Sequence, residues 1–290
     1  MNTKDYLFSA SSYKEYQQCG LKFRYKRVDK IPSGDEISHH RWFGRIVHDL
    51  VYIGLAERNG SKDYTLRDKA QKRYATSLVA GIWDTRPKDE TAKAVMEGAG
   101  DKPENFFPGK IQSLQGTPSA IEKGWEKQAR TMVGNGITAL SPILNDIIEI
   151  EAKLLWKWHD RRFIGYVDII SKEDGKIHFY DLKTAWNKPG KSLEKDFQFY
   201  SYSLALKEKY NLDYYPTGHW VHLKDGSVLD FDVTQEIIDY HDKDADQLFE
   251  RLENDVFPAS LGSPLCRFCD YRNLCYGEDF DWEGWKPTLW

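Results

Sequence analysis

Three stretches decide the fold: IIEIEAKLLWKW (Ile147–Trp158), RRFIGYVDII (Arg161–Ile170) and IHFYDLKT (Ile177–Thr184). In the first, Ile148, Ile150, Ala152, Leu154, Trp156 and Trp158 alternate with Glu149, Glu151, Lys153 and Lys157. One face is therefore apolar and the other charged, the two-residue period of a half-buried strand. Lys172-Glu-Asp-Gly175 between the second and third stretches reads as a hairpin turn. Working outward, residues 193–210 have the pattern of an amphipathic helix. Thr217–Leu223 and Val228–Val233 are two further strands around Lys224-Asp-Gly226, and Gln235–Leu252 is a last helix. Upstream, Ser9–Tyr16 opens a helix with Ser11 or Ser12 as N-cap and Glu15 in its first turn, running to Cys19. Apolar residues at 43, 47, 50, 51 and 55 mark a second helix over Phe43–Glu57. This order predicts a mixed α/β (α+β) fold: a single domain over 1–290 with a central mixed β-sheet flanked by helices. Residues 58–145, helix-prone and punctuated by glycine, read as a helical insertion, and 257–290 as a C-terminal cysteine segment.

Composition narrows the class. The chain of 290 residues is 40% hydrophobic and 30% charged, enough to bury one sizeable core. It has no apolar run of transmembrane length, so no membrane partner is expected. Its first residues lack the apolar core of a secretory signal, which points to a cytoplasmic, intracellular protein. The net charge of −4 does not advertise a nucleic-acid binder. Two local patches run against it: Lys22, Arg24, Lys26, Arg27 and Lys30, and then Lys183, Lys188, Lys191 and Lys195. No phosphate-binding G-x4-G-K-[ST] loop is present, so any unwinding must come from another protein.

The four cysteines lie at the two ends: Cys19, then Cys266, Cys269 and Cys275 in a C-x2-C-x5-C pattern. Intracellular thiols stay reduced, so four thiolates around a tight C-x2-C pair suit a metal better than two disulfides. The thiolate count serves zinc and an iron–sulfur cluster alike; the irregular spacing leans towards the cluster. Either would close a loop of nearly the whole chain, and its binding energy would become folding energy.

On the third strand, Asp181 and Lys183 fall on one face and Leu182 on the other. Asp168 ends the preceding strand, so the hairpin can bring two carboxylates close enough to share a cation. Such a pair repels unless a divalent ion lies between, and hard oxygen donors suit Mg2+ or Mn2+. Glu149 and Glu151 are weaker acidic candidates. Trp186, just beyond the strand, is the aromatic best placed to meet an unstacked base; the histidines other than His48 fit no ligand pattern. D-x-K alone is a common salt-bridged strand face. The ordered set is far more specific: G-x3-H at Gly44–His48, G-x2-D at Gly165–Asp168, D-x-K at Asp181–Lys183, Q-x3-Y at Gln198–Tyr202, and the four cysteines.

This set resembles the RecB-like branch of the PD-(D/E)XK nucleases, most of all its iron–sulfur members: the CRISPR-associated adaptation nucleases and the nuclease domains of helicase–nuclease repair complexes. The resemblance implies a restriction-endonuclease-like core. It implies that His48, Asp168, Asp181 and the Leu182 backbone carbonyl bind Mg2+ or Mn2+, and that Lys183 is the catalytic lysine. Gln198 and Tyr202 would contact DNA or support the site. Cys19, Cys266, Cys269 and Cys275 would hold a [4Fe–4S] cluster, with zinc as the alternative. The implied activity is a metal-dependent DNA nuclease, by analogy an exonuclease acting on single- or double-stranded DNA ends. The rivals are an endonuclease or spacer-processing nuclease of a CRISPR adaptation system, and a non-cutting DNA-binding scaffold. A helicase, a recombinase or a CRISPR adaptation protein would be the partner.

Overall fold

The computed structural model describes residues 6–32, 44, 47, 48, 50–52, 54, 55, 118–185, 187–281 and 284. Six strands form one mixed sheet: β1 (Leu7–Phe8), β2 (Ile147–Trp158), β3 (Arg161–Glu173), β4 (Lys176–Lys183), β5 (Thr217–His222) and β6 (Ser227–Phe231). Their order is β1-β3-β4-β5-β6, with β2 also on β3. The helices are α1 (Ala10–Gln18), α2 (Gly20–Phe23), α3 (Pro118–Leu140), α4 (Phe197–Lys209), α5 (Gln235–Glu253) and α6 (Arg272–Tyr276). Residues 44, 47, 48, 50–52, 54 and 55 are helical as well. The expected mixed sheet with flanking helices is what the chain forms. No helix among the described residues is long and apolar enough to cross a membrane. Of the expected insertion, residues 118–140 are helix α3, and residues 58–117 lie outside the described residues.

The β2–β3–β4 meander follows its alternation, with corrections at the ends. β3 does not stop near Asp168 but continues to Glu173, and the turn tightens to Asp174 and Gly175 with φ of 48° and 82°. Two successive positive φ values match the right-handed twist of the strands, which explains the Asp-Gly pair. Ile148 is exposed and Ile147 buried, because a register shift between Ile147 and Glu149 reverses the face at the start of β2. The first helix is capped by Ser9, not Ser11 or Ser12. Ser9 and Ser12 exchange side-chain-to-backbone bonds at that end. Glu15 consequently lies beyond the first turn and pairs with Lys26 and Arg27. Asp196 caps α4 and Thr234 caps α5 through their side-chain oxygens.

One feature of the pairing positions the site. β2 covers one edge of β3 from Trp158↔Arg161 to Ile147↔Ser171. The other edge is shared: β1 pairs with Arg162 and Phe163, and β4 with Ile169 through Glu173. Residues 164–168 therefore face a fork between two neighbours, with Asp168 at its rim. Buried side chains fill both sides of the sheet. Ile177 and Phe179 of β4 join Trp156, Phe163, Phe197 and Phe249 in one core. Tyr180 and Leu182 join Val47, Val51, Tyr52, Leu55 and Val221 in the other.

The chain ends also meet. Leu21 N–H donates to the Pro258 carbonyl (3.2 Å), Tyr16 Oη to the Val256 carbonyl (2.6 Å) and Tyr271 Oη to the Ile31 carbonyl (3.0 Å). Residues 256–271 are thus seated on the N-terminal helices by hydrogen bonds and by the packing of Phe257 on Tyr16 and Phe23 and of Tyr271 on Tyr25.

Candidate active site

Asp168, Asp181, Lys183 and His48 converge at the fork. β4 delivers Asp181 and Lys183 to one face by its period of two. At the rim, Asp168 Oδ2 accepts the backbone N–H of Leu182 at 2.7 Å, so the side chain replaces the ladder bond that ends where β3 and β4 part. Of Leu182, the N–H rather than the carbonyl is the group recorded against Asp168. From the early helix, His48 Nδ1 stands 3.6 Å from Asp168 Oδ1, an ion-pair distance rather than a hydrogen bond. Tyr52, one turn on, donates its hydroxyl to the same oxygen at 2.9 Å. Tyr52 was not among the residues singled out from the sequence. Its signal is the i,i+4 spacing from His48, which puts both on one helix face.

Asp181 is the deepest member, with 4% of its side chain exposed against 30% for Lys183, 19% for Asp168 and 23% for His48. Asp181 is thus the floor of the constellation, and the tips of the other three reach solvent. Lys183 Nζ pairs with Asp181 Oδ2 at 2.5 Å. The other oxygen accepts Gln198 Nε2 at 2.8 Å. Gln198 also takes a 3.4 Å bond from Lys183 through Oε1 and reaches Tyr202 Oη at 3.4 Å. The Q-x3-Y pair of α4 therefore braces the D-x-K strand. Gly165 makes this possible: a Cβ there would lie 2.5 Å from Tyr202 Cε1. Gly44 sits against the end of β4, where a Cβ would be 3.0 Å from Thr184 Oγ1.

The electrostatics follow from two carboxylates in one partly dry place. Burial and the Asp168 charge together hold Asp181 above the usual carboxylate range, against the pull of Lys183. Burial works upward on Asp168 too, but His48, the Leu182 N–H and Lys183 outweigh it and hold it below that range. Neighbouring like charges split in this way, one acid made stronger and one weaker. Burial would lower His48, but Asp168 and then Asp181 lift it above its ordinary value. Lys183 is likewise raised, its desolvation outweighed by Asp181 and Asp168, so the ammonium is retained. Burial, then Asp181, pushes Tyr202 up to about 12.

The family model of the PD-(D/E)XK nuclease superfamily matches residues 7–276. The chain belongs to this superfamily. Curated proteins gave no match. Members of the superfamily are nucleases that act on DNA, usually with Mg2+ or Mn2+.

The side chains gathered at the fork of this PD-(D/E)XK chain suit such an ion. The donors are carboxylate oxygens and an imidazole, the hard set that suits Mg2+ or Mn2+. The raised Asp181, close to Asp168, marks a place where added positive charge lowers the energy. Among the described residues, however, no three His, Cys, Asp or Glu side chains converge as a ready-made metal cage, at the fork or at the cysteines. Tyr52, Lys183, Gln198 and the Leu182 N–H hold the carboxylates instead. Glu149 is not brought to the site, since Lys209 and Tyr210 bind it at the far end of α4. Glu151, at φ 48° and next to Asp168 across the β2–β3 pair, is near enough for its charge to raise Tyr52. Trp186 lies outside the described residues, as do His39 and His40.

The cysteine segment consists of a short turn at Pro264–Phe268 and the one-turn α6. Burial, and then the charges of Cys19, Cys269 and Cys266, raise Cys275 above its ordinary value, so the two ends of the chain bring their thiols into one field. Cys266 Sγ–H points to the Ser260 carbonyl at 3.4 Å. The basic patches expected to guide DNA are largely engaged: Lys26 and Arg27 with Glu15, Arg24 with Asp29, and Lys188 with Asp225.

Proposed function

We propose that this PD-(D/E)XK protein hydrolyses DNA phosphodiester bonds at strand ends, as a divalent-metal-dependent exonuclease of the RecB-like branch. The observation that carries the reading is the split carboxylate pair at the fork, with Lys183 paired to Asp181 beside it. His48, Asp168 and Asp181, with the Leu182 carbonyl, would hold Mg2+ or Mn2+. When bound, the ion supplies Lewis acidity towards a phosphoryl oxygen and lowers the pKa of water. The chain's own residues do the rest. Lys183 keeps its proton and meets the negative charge that builds on the phosphorus-bound oxygens. Gln198 fixes the Asp181 carboxylate from behind, and Tyr202 fixes Gln198. His48 and the Leu182 N–H hold Asp168 ionised, and the Tyr52 hydroxyl helps to aim it.

The exonuclease preference comes by analogy from the branch that the motifs resemble. The same resemblance assigns a structural [4Fe–4S] cluster to Cys19, Cys266, Cys269 and Cys275, with zinc as the competing metal. It also assigns a helicase, recombinase or CRISPR adaptation protein as partner. The meeting of the chain ends through Pro258 and Tyr271 supports a clamp there. The chain accordingly reads as one nuclease domain over 1–290, with a helical insertion at 58–145 and the cysteine segment at 257–290. The test is digestion of end-labelled linear, nicked and single-stranded DNA with Mn2+. Stepwise shortening from an end is expected, lost in Lys183→Ala; intact DNA in every wild-type reaction would leave a DNA-binding scaffold instead.

A further inference from the structure

The outer face of the β2–β3 hairpin runs straight to the site. On β3 the solvated positions are Arg162, Ile164 and Tyr166, and Asp168 takes the next place in the same alternation. Across the pair stand Lys157, Leu155 and Lys153, opposite Arg162, Ile164 and Tyr166 respectively. Leu155 is 63% exposed and Tyr166 57%. The strip thus has cations at three corners, an apolar and aromatic middle, and carboxylates only where it reaches Glu151 and Asp168. From Arg162 to Asp168 it spans about 20 Å at the usual rise of a strand.

Lysines on an edge strand also discourage sheets from pairing edge to edge. That role does not explain Tyr166 and Leu155, whose exposure beside the lysines favours association rather than preventing it. A local excess of positive charge on a chain of net charge −4 selects a polyanion. An exposed aromatic ring among cations selects one whose bases are unstacked and free to lie on it. A duplex keeps its bases inside and has no use for Tyr166.

We infer that this strip is the track for a single strand of DNA entering the site, with phosphates on Lys153, Lys157 and Arg162 and bases against Tyr166 and Leu155. The inference rests on the nuclease reading, which gives the track its end point at Asp168. Full-length Asp181→Asn protein, made to leave the DNA uncut, is titrated with fluorescein-labelled oligothymidylate and with a duplex of equal length. In that background Tyr166→Ala weakens oligothymidylate binding about ten-fold, Tyr166→Phe retains it, and Tyr240→Ala, an exposed tyrosine on α5, leaves it unchanged. The double change Lys153→Gln with Lys157→Gln lowers the log–log salt slope by about 1.4, from about 0.7 for each phosphate contact. Wild-type affinity and salt slope in all the strip variants overturn the track, as does a duplex preference that ignores Tyr166. Hydrolysis of bis(p-nitrophenyl) phosphate with Mn2+ by wild type tests the active site separately. If wild type cleaves the diester but strand binding ignores the strip, only the track fails. If binding depends on the strip but neither DNA nor the diester is cut, only the nuclease reading fails.

Discussion

The fork at β1, β3 and β4 and the cysteine segment at residues 257–276 hold their reactive groups by different means. At the fork every group rides on a regular element: Asp168, Asp181 and Lys183 on strands, Gln198 and Tyr202 on α4, His48 and Tyr52 on the early helix. Backbone ladders and two cores fix the geometry, so the carboxylates are aimed by Tyr52, Gln198 and the Leu182 N–H before any ion arrives. The cysteine segment has only short turns, and Leu265, Phe268 and Leu274 stand exposed on it. A segment with so little core of its own is held by a few hydrogen bonds and by Phe257 and Tyr271 packed against α1, α2 and the residues that follow them. A metal there would add to stability in proportion to its binding. The difference teaches that one constellation is built into regular elements and two cores, whereas the other lies on short turns docked against the N-terminal helices.

The sharpest way to break that contrast is a pair of substitutions. Asp181→Asn keeps an acceptor for Gln198 and should lower Mn2+-dependent cleavage on the order of a thousand-fold, with little change in melting temperature. Cys269→Ser should do the reverse, lowering the melting temperature by more than about 5 °C, while the molecules still folded keep their activity. An unfolded Asp181→Asn protein, or an inactive but fully stable Cys269→Ser protein, would erase the distinction.

Acid provides the next test. His241 of α5 is buried against Tyr200, neither ring nitrogen has a hydrogen-bond partner among the described residues, and burial lowers its pKa from 6.5 to about 4. The folded state keeps the ring neutral, so its contribution is complete above the unfolded value. As pH falls from about 6.5 to about 4 the unfolded chain takes the proton first, and about 3 kcal/mol of stability is lost. Denaturant titrations across this range should show that loss, and His241→Phe should flatten it.

Two smaller effects probe the bracing of the fork. Gly165→Ala pushes a methyl into the Tyr202 ring and should cost about 2 kcal/mol, lowering activity as Gln198 moves. Tyr52→Phe removes one hydrogen bond to a carboxylate, about 1 kcal/mol by the usual scale. A roughly five-fold loss of kcat with an unchanged fold is expected; no loss would mean that Asp168 is aimed by Leu182 alone.

Much of this was legible in the chain itself. Alternation in β2, β3 and β4 determined the meander, because burying one face of a strand leaves its imprint at every second residue. The Asp-Gly pair at 174 and 175 determined the turn, and the spacing of Asp181 and Lys183 determined that both face one way. The tertiary structure alone decided that Asp168 stands inside a strand rather than at its end, at a fork made by β1, a strand of two residues too short to leave a pattern. It alone brought Tyr52 to Asp168, turned Gln198 and Tyr202 into braces for Asp181, and drew Glu149 away to Lys209. These depend on contacts between residues far apart in sequence, and no local period encodes which distant side chain satisfies a buried carboxylate.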